Sequence, residues 1–198
     1  MPDKILFGVI FIIILSSFYY RVYAVDRRDA YLLRAGLVCT LVADFCMLIL
    51  YNNTIGLVFF ICVQTIYIFR YLSARFYAVI SIPVLLAVFI ALSFTELTLE
   101  TRLAAVYANA LAAGVLAAFI RKKSYPLPNR VIIPLGMVLF MLCDINVALI
   151  NILPDGKGKT AARVLIWVFY LPSQVLLSVS GKKIDMFRTV LRQPSSRA

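Results

Sequence analysis

LVADFCMLIL, residues 41–50, is a run of apolar and weakly polar side chains broken by one carboxylate, Asp44. One hundred residues later MLCDINVALI, residues 141–150, repeats the intrusion at Asp144. The apolar character continues around each acid, over roughly residues 31–52 and 131–153. Apolar stretches of about 20 residues are what an α-helix needs to cross a bilayer core at ~1.5 Å rise per residue. Read this way, the chain has seven spans, at roughly 5–23, 31–52, 54–72, 77–94, 103–120, 131–153 and 164–180, joined by short polar linkers. Of the 198 residues 63% are apolar. A soluble domain is about half apolar, so this chain has too few polar side chains to coat a water-facing surface. The expected fold is all-α, a polytopic transmembrane helix bundle. Residues 1–180 form one membrane domain and 181–198 a basic, amphipathic cytoplasmic tail.

Charge sets the expected orientation. Net charge is +11, from 20 Lys and Arg against 9 Asp and Glu. The cations lie between the apolar spans, where they fix topology and meet anionic headgroups, so no nucleic-acid partner is expected. Lys4, Arg102, Lys157, Lys159 and Arg163 fall on one side of the membrane and the other fifteen on the opposite side. The heavier side is cytoplasmic by the positive-inside rule, which places the N-terminus outside and the C-terminus inside. Lys4, an apolar stretch and VYA before Val25 have the outline of a signal peptide. Arg21, Arg27 and Arg28 load the wrong flank for one, so the first span is expected to remain as a membrane helix. The expected location is a bacterial cytoplasmic membrane, crossed several times.

Composition also removes chemistries. The chain has no histidine, which excludes the usual zinc sites, Ser-His-Asp triads and histidine proton relays. Cys39, Cys46, Cys62 and Cys143 all lie within spans, so no disulfide framework is implied. All seven lysines lie outside the spans, which excludes a retinal Schiff base. No metal and no cofactor is expected, and nothing in the sequence sets an oligomeric state.

Asp44 and Asp144 each lie roughly 12–14 Å below the outer edge of their spans. A carboxylate at that depth costs about 2.5–3.5 kcal/mol to insert, so it should face the bundle interior and mark a functional site. Depth and spacing suggest its partners. The third span carries Gln64 and Tyr67, and the seventh carries Tyr170, Gln174 and Ser178 at i, i+4 and i+8, one stripe on one helix face. Pro172 within that stripe removes a backbone hydrogen bond to the Val168 carbonyl and is expected to kink the helix. An Asp helix followed by a Gln helix occurs at spans two and three and again at six and seven, with Gly36 and Gly136 each eight residues before the acid. An even displacement of four spans gives both copies the same orientation, which is a parallel internal repeat. The fifth span is rich in Ala and Gly. Its Ala110, Gly114 and Ala118 form a close-packing face, so the span reads as structural, with Asn109 in reach of the cavity.

These stretches resemble the YhhN-like lysoplasmalogenase family of integral membrane proteins. The carriers are LVADFCMLIL with Asp44, FICVQTIYIFRY with Gln64 and Tyr67, MVLFMLCDINVALIN around Asp144, and WVFYLPSQVLLSVS with Tyr170 and Gln174. Family members usually have eight spans. Many have Gly where Ala43 stands, His where Gln64 stands and Ser where Cys143 stands. The resemblance implies a hydrolase that cleaves the vinyl-ether bond of a lysophospholipid to a fatty aldehyde and a glycerophospho-alcohol. The residues suit that chemistry in their own right. Protonation of carbon needs a carboxylic acid, and the resulting oxocarbenium ion and attacking water need a carboxylate. Two acids sharing one low-dielectric cavity do not both ionise easily. Asp44 and Asp144 are the catalytic candidates, with Gln64, Tyr67, Tyr170, Gln174 and Ser178 binding substrate and water. The same Asp pair and repeat would also serve a small proton- or solute-coupled transporter.

Overall fold

The computed structural model describes residues 2–19, 25–72, 82–94 and 96–182. Among these residues seven helices succeed one another and there is no strand. They are α1 (Pro2–Phe18), α2 (Arg27–Asp44), α3 (Asn53–Tyr71), α4 (Ile82–Ser93), α5 (Leu99–Arg121), α6 (Asn129–Ile152) and α7 (Lys157–Val179). A π-helical turn, Phe45–Ile49, continues α2. With it, α2 is long and apolar enough to cross a membrane, as are α3, α5, α6 and α7. The helices α1 and α4, 17 and 12 residues long, are shorter. Residues 20–24 and 73–81, which belong to or adjoin the spans expected at 5–23 and 77–94, lie outside the described residues. So does the tail from 183 to 198.

The polarity of the bundle is inverted relative to a soluble protein. Ile12, Leu116 and Val164 are 66%, 61% and 58% exposed, whereas Asp44, Gln64, Arg70 and Gln174 are buried. Apolar side chains facing outward all along a helix are stable only against lipid. The helices begin where side chains can replace missing backbone acceptors. Asp26 Oδ1 accepts the Asp29 backbone N–H at 2.6 Å at the start of α2, and Asn52 Oδ1 accepts that of Ile55 at 3.0 Å at the start of α3. Tyr51, with φ of 53°, turns the chain between them.

Three helix pairs carry most of the packing, α5 on α3 and the two hairpins, α2 with α3 and α6 with α7. Each hairpin closes over a glycine eight residues before its acid. A Cβ on Gly36 would stand 2.4 Å from Tyr67 Cε1, and one on Gly136 would stand 3.1 Å from Leu177 Cγ. Elsewhere α1 lies on α7 and touches α2, α5 also touches α6, and α4 touches α5.

One end of the bundle is tied by a buried polar knot. Arg70 at the end of α3 donates from Nε to Asp29 Oδ1 at 2.8 Å and from Nη2 to Asp29 Oδ2 at 3.1 Å. Its Nη1 donates to Ser180 Oγ at 3.0 Å, just past α7. The Tyr125 hydroxyl donates to Asp29 Oδ1 at 2.8 Å, and Asn129 Nδ2 donates to the Ser180 carbonyl at 2.5 Å. The knot therefore joins α2, α3, α6, α7 and the linker after α5. A buried ion pair of this kind adds little over an apolar contact, but removing one partner strands the other charge at a cost of ~3–5 kcal/mol. By sequence alone Arg70 is only an inner cation and Asp29 a linker residue. Both acids lie far from this end. Asp44 is fifteen residues along α2 from Asp29, and Asp144 is fifteen along α6 from Asn129, in each case roughly 22 Å of helix. The acids thus sit at one level, toward the α2–α3 and α6–α7 turns.

Candidate functional site

Each acid is held by a tyrosine from another helix. Tyr170 of α7 donates its hydroxyl to Asp44 Oδ2 of α2 at 2.5 Å. Tyr107 of α5 donates its hydroxyl to Asp144 Oδ2 of α6. Hydrogen bonds to a carboxylate are the strong kind, worth about 1.5–3 kcal/mol each. The two pairs are joined by a relay of rings. Tyr107 lies 5.6 Å from Phe60, Phe60 lies 6.0 Å from Phe140, and Phe140 lies 5.7 Å from Tyr170, centroid to centroid. Buried Cys143 directly precedes Asp144 on α6.

The local sequence explains why each acid points inward. Asp44 is the last residue of regular α2, and the chain widens into the π-helical turn immediately after it. Such a turn adds a residue to one helical repeat and rotates the residues beyond it, and π-turns recur at functional sites. Here the rotation buries Cys46 and leaves Phe45 41% exposed. Tyr107 shares one face of α5 with Ala110, Gly114 and Ala118, all buried. Those small residues let α5 lie close to α6 as well as α3, since a Cβ on Gly114 would stand 3.2 Å from Met137 Cε of α6. The Gln64 carboxamide shows the same fit, because a Cβ on Gly114 would stand 3.0 Å from Gln64 Oε1.

The residues expected at the site fall into three groups. Asp44, Asp144 and Tyr170 come together as described. Gln64, Gln174 and Tyr67 are fully buried, and the polar side-chain atoms of all three lack a hydrogen-bond partner. Gln64 lies beside the Tyr107 hydroxyl, which connects it to Asp144. Tyr67 packs over Gly36 and 6.3 Å from Tyr71, so it belongs to the level between the acids and the knot. Ser178 stands apart, since its hydroxyl donates to the Val175 carbonyl of its own helix at 2.8 Å. Asn109 is exposed and likewise donates to its own helix, at Ala105, so it does not face the bundle interior. Tyr107 escapes a reading of the sequence because the α5 span has the look of a packing surface. Its shared face with Ala110, Gly114 and Ala118 is the available signal. Among the described residues, no group of three or more His, Cys, Asp or Glu side chains could hold a metal ion.

The arrangement offers two carboxyl groups, Asp44 buried and Asp144 half-buried, each with one oxygen engaged by a phenol and lone pairs left for other donors. Unpartnered carboxamides nearby can donate and accept. That is equipment for moving protons to and from a bound molecule and water. No curated protein and no solved structure matches the chain. The model of the YhhN family matches residues 4–181, nearly the whole sequence. With its paired acid-bearing hairpins and that match, the chain belongs to the YhhN family.

Proposed function

We propose that this protein is a lysoplasmalogenase-type hydrolase, cleaving the vinyl-ether bond of a lysophospholipid by acid and base catalysis between Asp44 and Asp144. The observation that carries the reading is the pair of acid–tyrosine contacts, Asp44 with Tyr170 and Asp144 with Tyr107, joined by one row of rings inside the bundle. One carboxylic acid gives its proton to the vinyl carbon remote from oxygen, leaving an oxocarbenium ion. The other, as carboxylate, takes a proton from water as the water oxygen bonds to the oxocarbenium carbon. The hemiacetal then collapses. Its hydroxyl proton returns to the first acid, the second acid protonates the departing glycerol oxygen, and a fatty aldehyde is released. Both acids end as they began, and one water is consumed. Gln64 and Gln174 supply the amide donors and acceptors that would orient water and the glycerol hydroxyl.

Two further features belong to this reading. The acids are mates in a parallel repeat. Asp29, Gly36 and Asp44 of α2 correspond to Asn129, Gly136 and Asp144 of α6, and Gln64 and Arg70 of α3 correspond to Gln174 and Ser180. The crossed packing of α1 on α7 and α5 on α3 supports the same two-fold relation. An experimental structure relating the hairpins by an axis in the membrane plane would refute it. The bundle sits in a bacterial cytoplasmic membrane with its N-terminus outside, so the knot lies at the cytoplasmic end and the acids toward the outer leaflet.

The test is aldehyde release by purified protein in detergent from a 1-alkenyl lysophospholipid. Asp44→Asn and Asp144→Asn should each abolish release while the protein stays folded, and turnover like wild type in either variant would remove the acid pair from the mechanism. One observation favours a second reading. Gln64, Gln174, Tyr67 and Tyr71 hold unpartnered polar atoms at levels between the acids and the knot, as a proton- or solute-coupled transporter would need. Detergent contains no gradient, so aldehyde release there decides for the enzyme.

A further inference from the structure

Beside the knot lies a cavity of about 100 Å³ that the acid site does not use. On that measure a single water needs roughly 10–15 Å³, so there is room for one tetrahedral oxyanion. Arg28, Arg70 and Arg121 line it together with Asp26 and Asp29. The charges do not cancel. Asp29 is spent on Arg70 and on the Tyr125 hydroxyl, and Asp26 caps α2 while keeping its charge, so three arginines against two aspartates leave the lining net positive by one. Burial pushes the Tyr125 phenol above its ordinary range, so it remains a neutral donor to Asp29 and adds no negative charge. Arg28 and Arg121 have no ion-pair partner among the described residues. Ser124, also on the wall, contributes a hydroxyl. Two guanidinium groups and a hydroxyl around one small space, outnumbering the one carboxylate not already paired with an arginine, form a phosphate-binding set.

We propose that this cavity binds the phosphate of an anionic phospholipid headgroup. Arg28 and Arg121 grip the phosphate oxygens, Ser124 donates a further hydrogen bond, and Val25 and Leu32 offer apolar surface at the same wall. The cavity opens at the end of the bundle where most of the chain's cations gather, facing the leaflet surface where such lipids concentrate. It is separate from the substrate's own headgroup position. Roughly 22 Å of α2 divides Asp29 from Asp44, whereas only a glycerol's few bonds divide phosphate from vinyl ether in a lysolipid. Bound there, a lipid would brace the start of α2 against the end of α5.

The experiment measures the thermal unfolding midpoint of the purified full chain in detergent, with phosphatidylglycerol, phosphatidylcholine or inorganic phosphate added. Phosphatidylglycerol should raise the midpoint by several degrees in a saturable way, and the other two should do much less. R28Q/R121Q should bind phosphatidylglycerol roughly tenfold or more weakly, the loss expected for two charge-assisted contacts. R27Q/K123Q, which removes the same charge outside the cavity, should keep the rise. Equal losses in both double variants would reduce the effect to general attraction and overturn the site. An equal response to inorganic phosphate would overturn the lipid as its source. If R28Q/R121Q does not fold, R28Q alone is scored by the same midpoints and by the phosphatidylglycerol retained in native mass spectrometry, and unchanged retention would refute the proposal.

Discussion

Replacing Tyr107 with Phe removes one oxygen and keeps the ring. The ring's contact with Phe60, 5.6 Å between centroids, should survive, so the change isolates the hydrogen bond to Asp144. A hydrogen bond to a charged group contributes ~1.5–3 kcal/mol, and each ~1.4 kcal/mol is a factor of ten. If that bond holds a carboxylate that acts in the transition state, turnover falls roughly 10- to 150-fold. Tyr107 touches the acid and is not itself assigned contact with the reacting carbon, so it is a positioning residue. The loss should fall on kcat, with KM moving by no more than about twofold. The assay is continuous aldehyde release from a 1-alkenyl lysophospholipid in detergent, coupled to aldehyde oxidation. A thermal midpoint close to wild type separates this from simple unfolding, since a damaged core contact lowers it by several degrees. A variant that turns over within about twofold of wild type would show that Tyr107 does not position a working group, and the reasoning from geometry to mechanism would fail. Tyr170→Phe puts the same question to Asp44.

Arg70→Met should lower stability by ~3–5 kcal/mol in denaturant titrations in mixed micelles, because Asp29 is left buried without its partner; a loss below about 1 kcal/mol would mean that the knot carries no such burden. Gly36→Ala should cost ~1–3 kcal/mol by forcing the Tyr67 ring off α2, and an unchanged unfolding curve would show that the two helices separate without penalty. Ser178→Ala should keep turnover within about twofold of wild type, since that hydroxyl is engaged within its own helix; a large fall would return Ser178 to the site. A fluorescent protein fused after Ala198 should fluoresce in the cytoplasm and alkaline phosphatase at the same point should be inactive; the opposite pattern would reverse the orientation.

How much of this is legible in the sequence depends on whether the signal is local. The long apolar runs locate α2, α3, α5, α6 and α7 to within a few residues at most ends, because hydropathy reports the bilayer directly. It fails at the start of α7. The span is expected at 164, whereas the helix begins at Lys157, since backbone hydrogen bonding continues past the lipid into water where hydropathy is blind. Asp44 and Asp144 stand out because a carboxylate is costly among apolar neighbours. Tyr107 does not, because a phenol is unremarkable beside alanines and its partner lies 37 residues away. The Asp29–Arg70 pair is hidden for the same reason, as charges at span ends are expected for topology and only the fold shows that two of them meet. The π-helical turn after Asp44 leaves no compositional trace, since five apolar residues fit a regular helix equally well.

The knot has a mechanical consequence. Five chain segments are pinned together at one end, with the two acids about two-thirds of the way toward the other. A bundle fastened in this way moves as tongs do, hinged at the fastening and widest at the tips. Any breathing that admits a lipid tail to the acids should then spread the α2–α3 and α6–α7 turns. Spin labels across those turns should report a broad range of separations while labels flanking Arg70 report a narrow one, and the reverse pattern would place the hinge elsewhere.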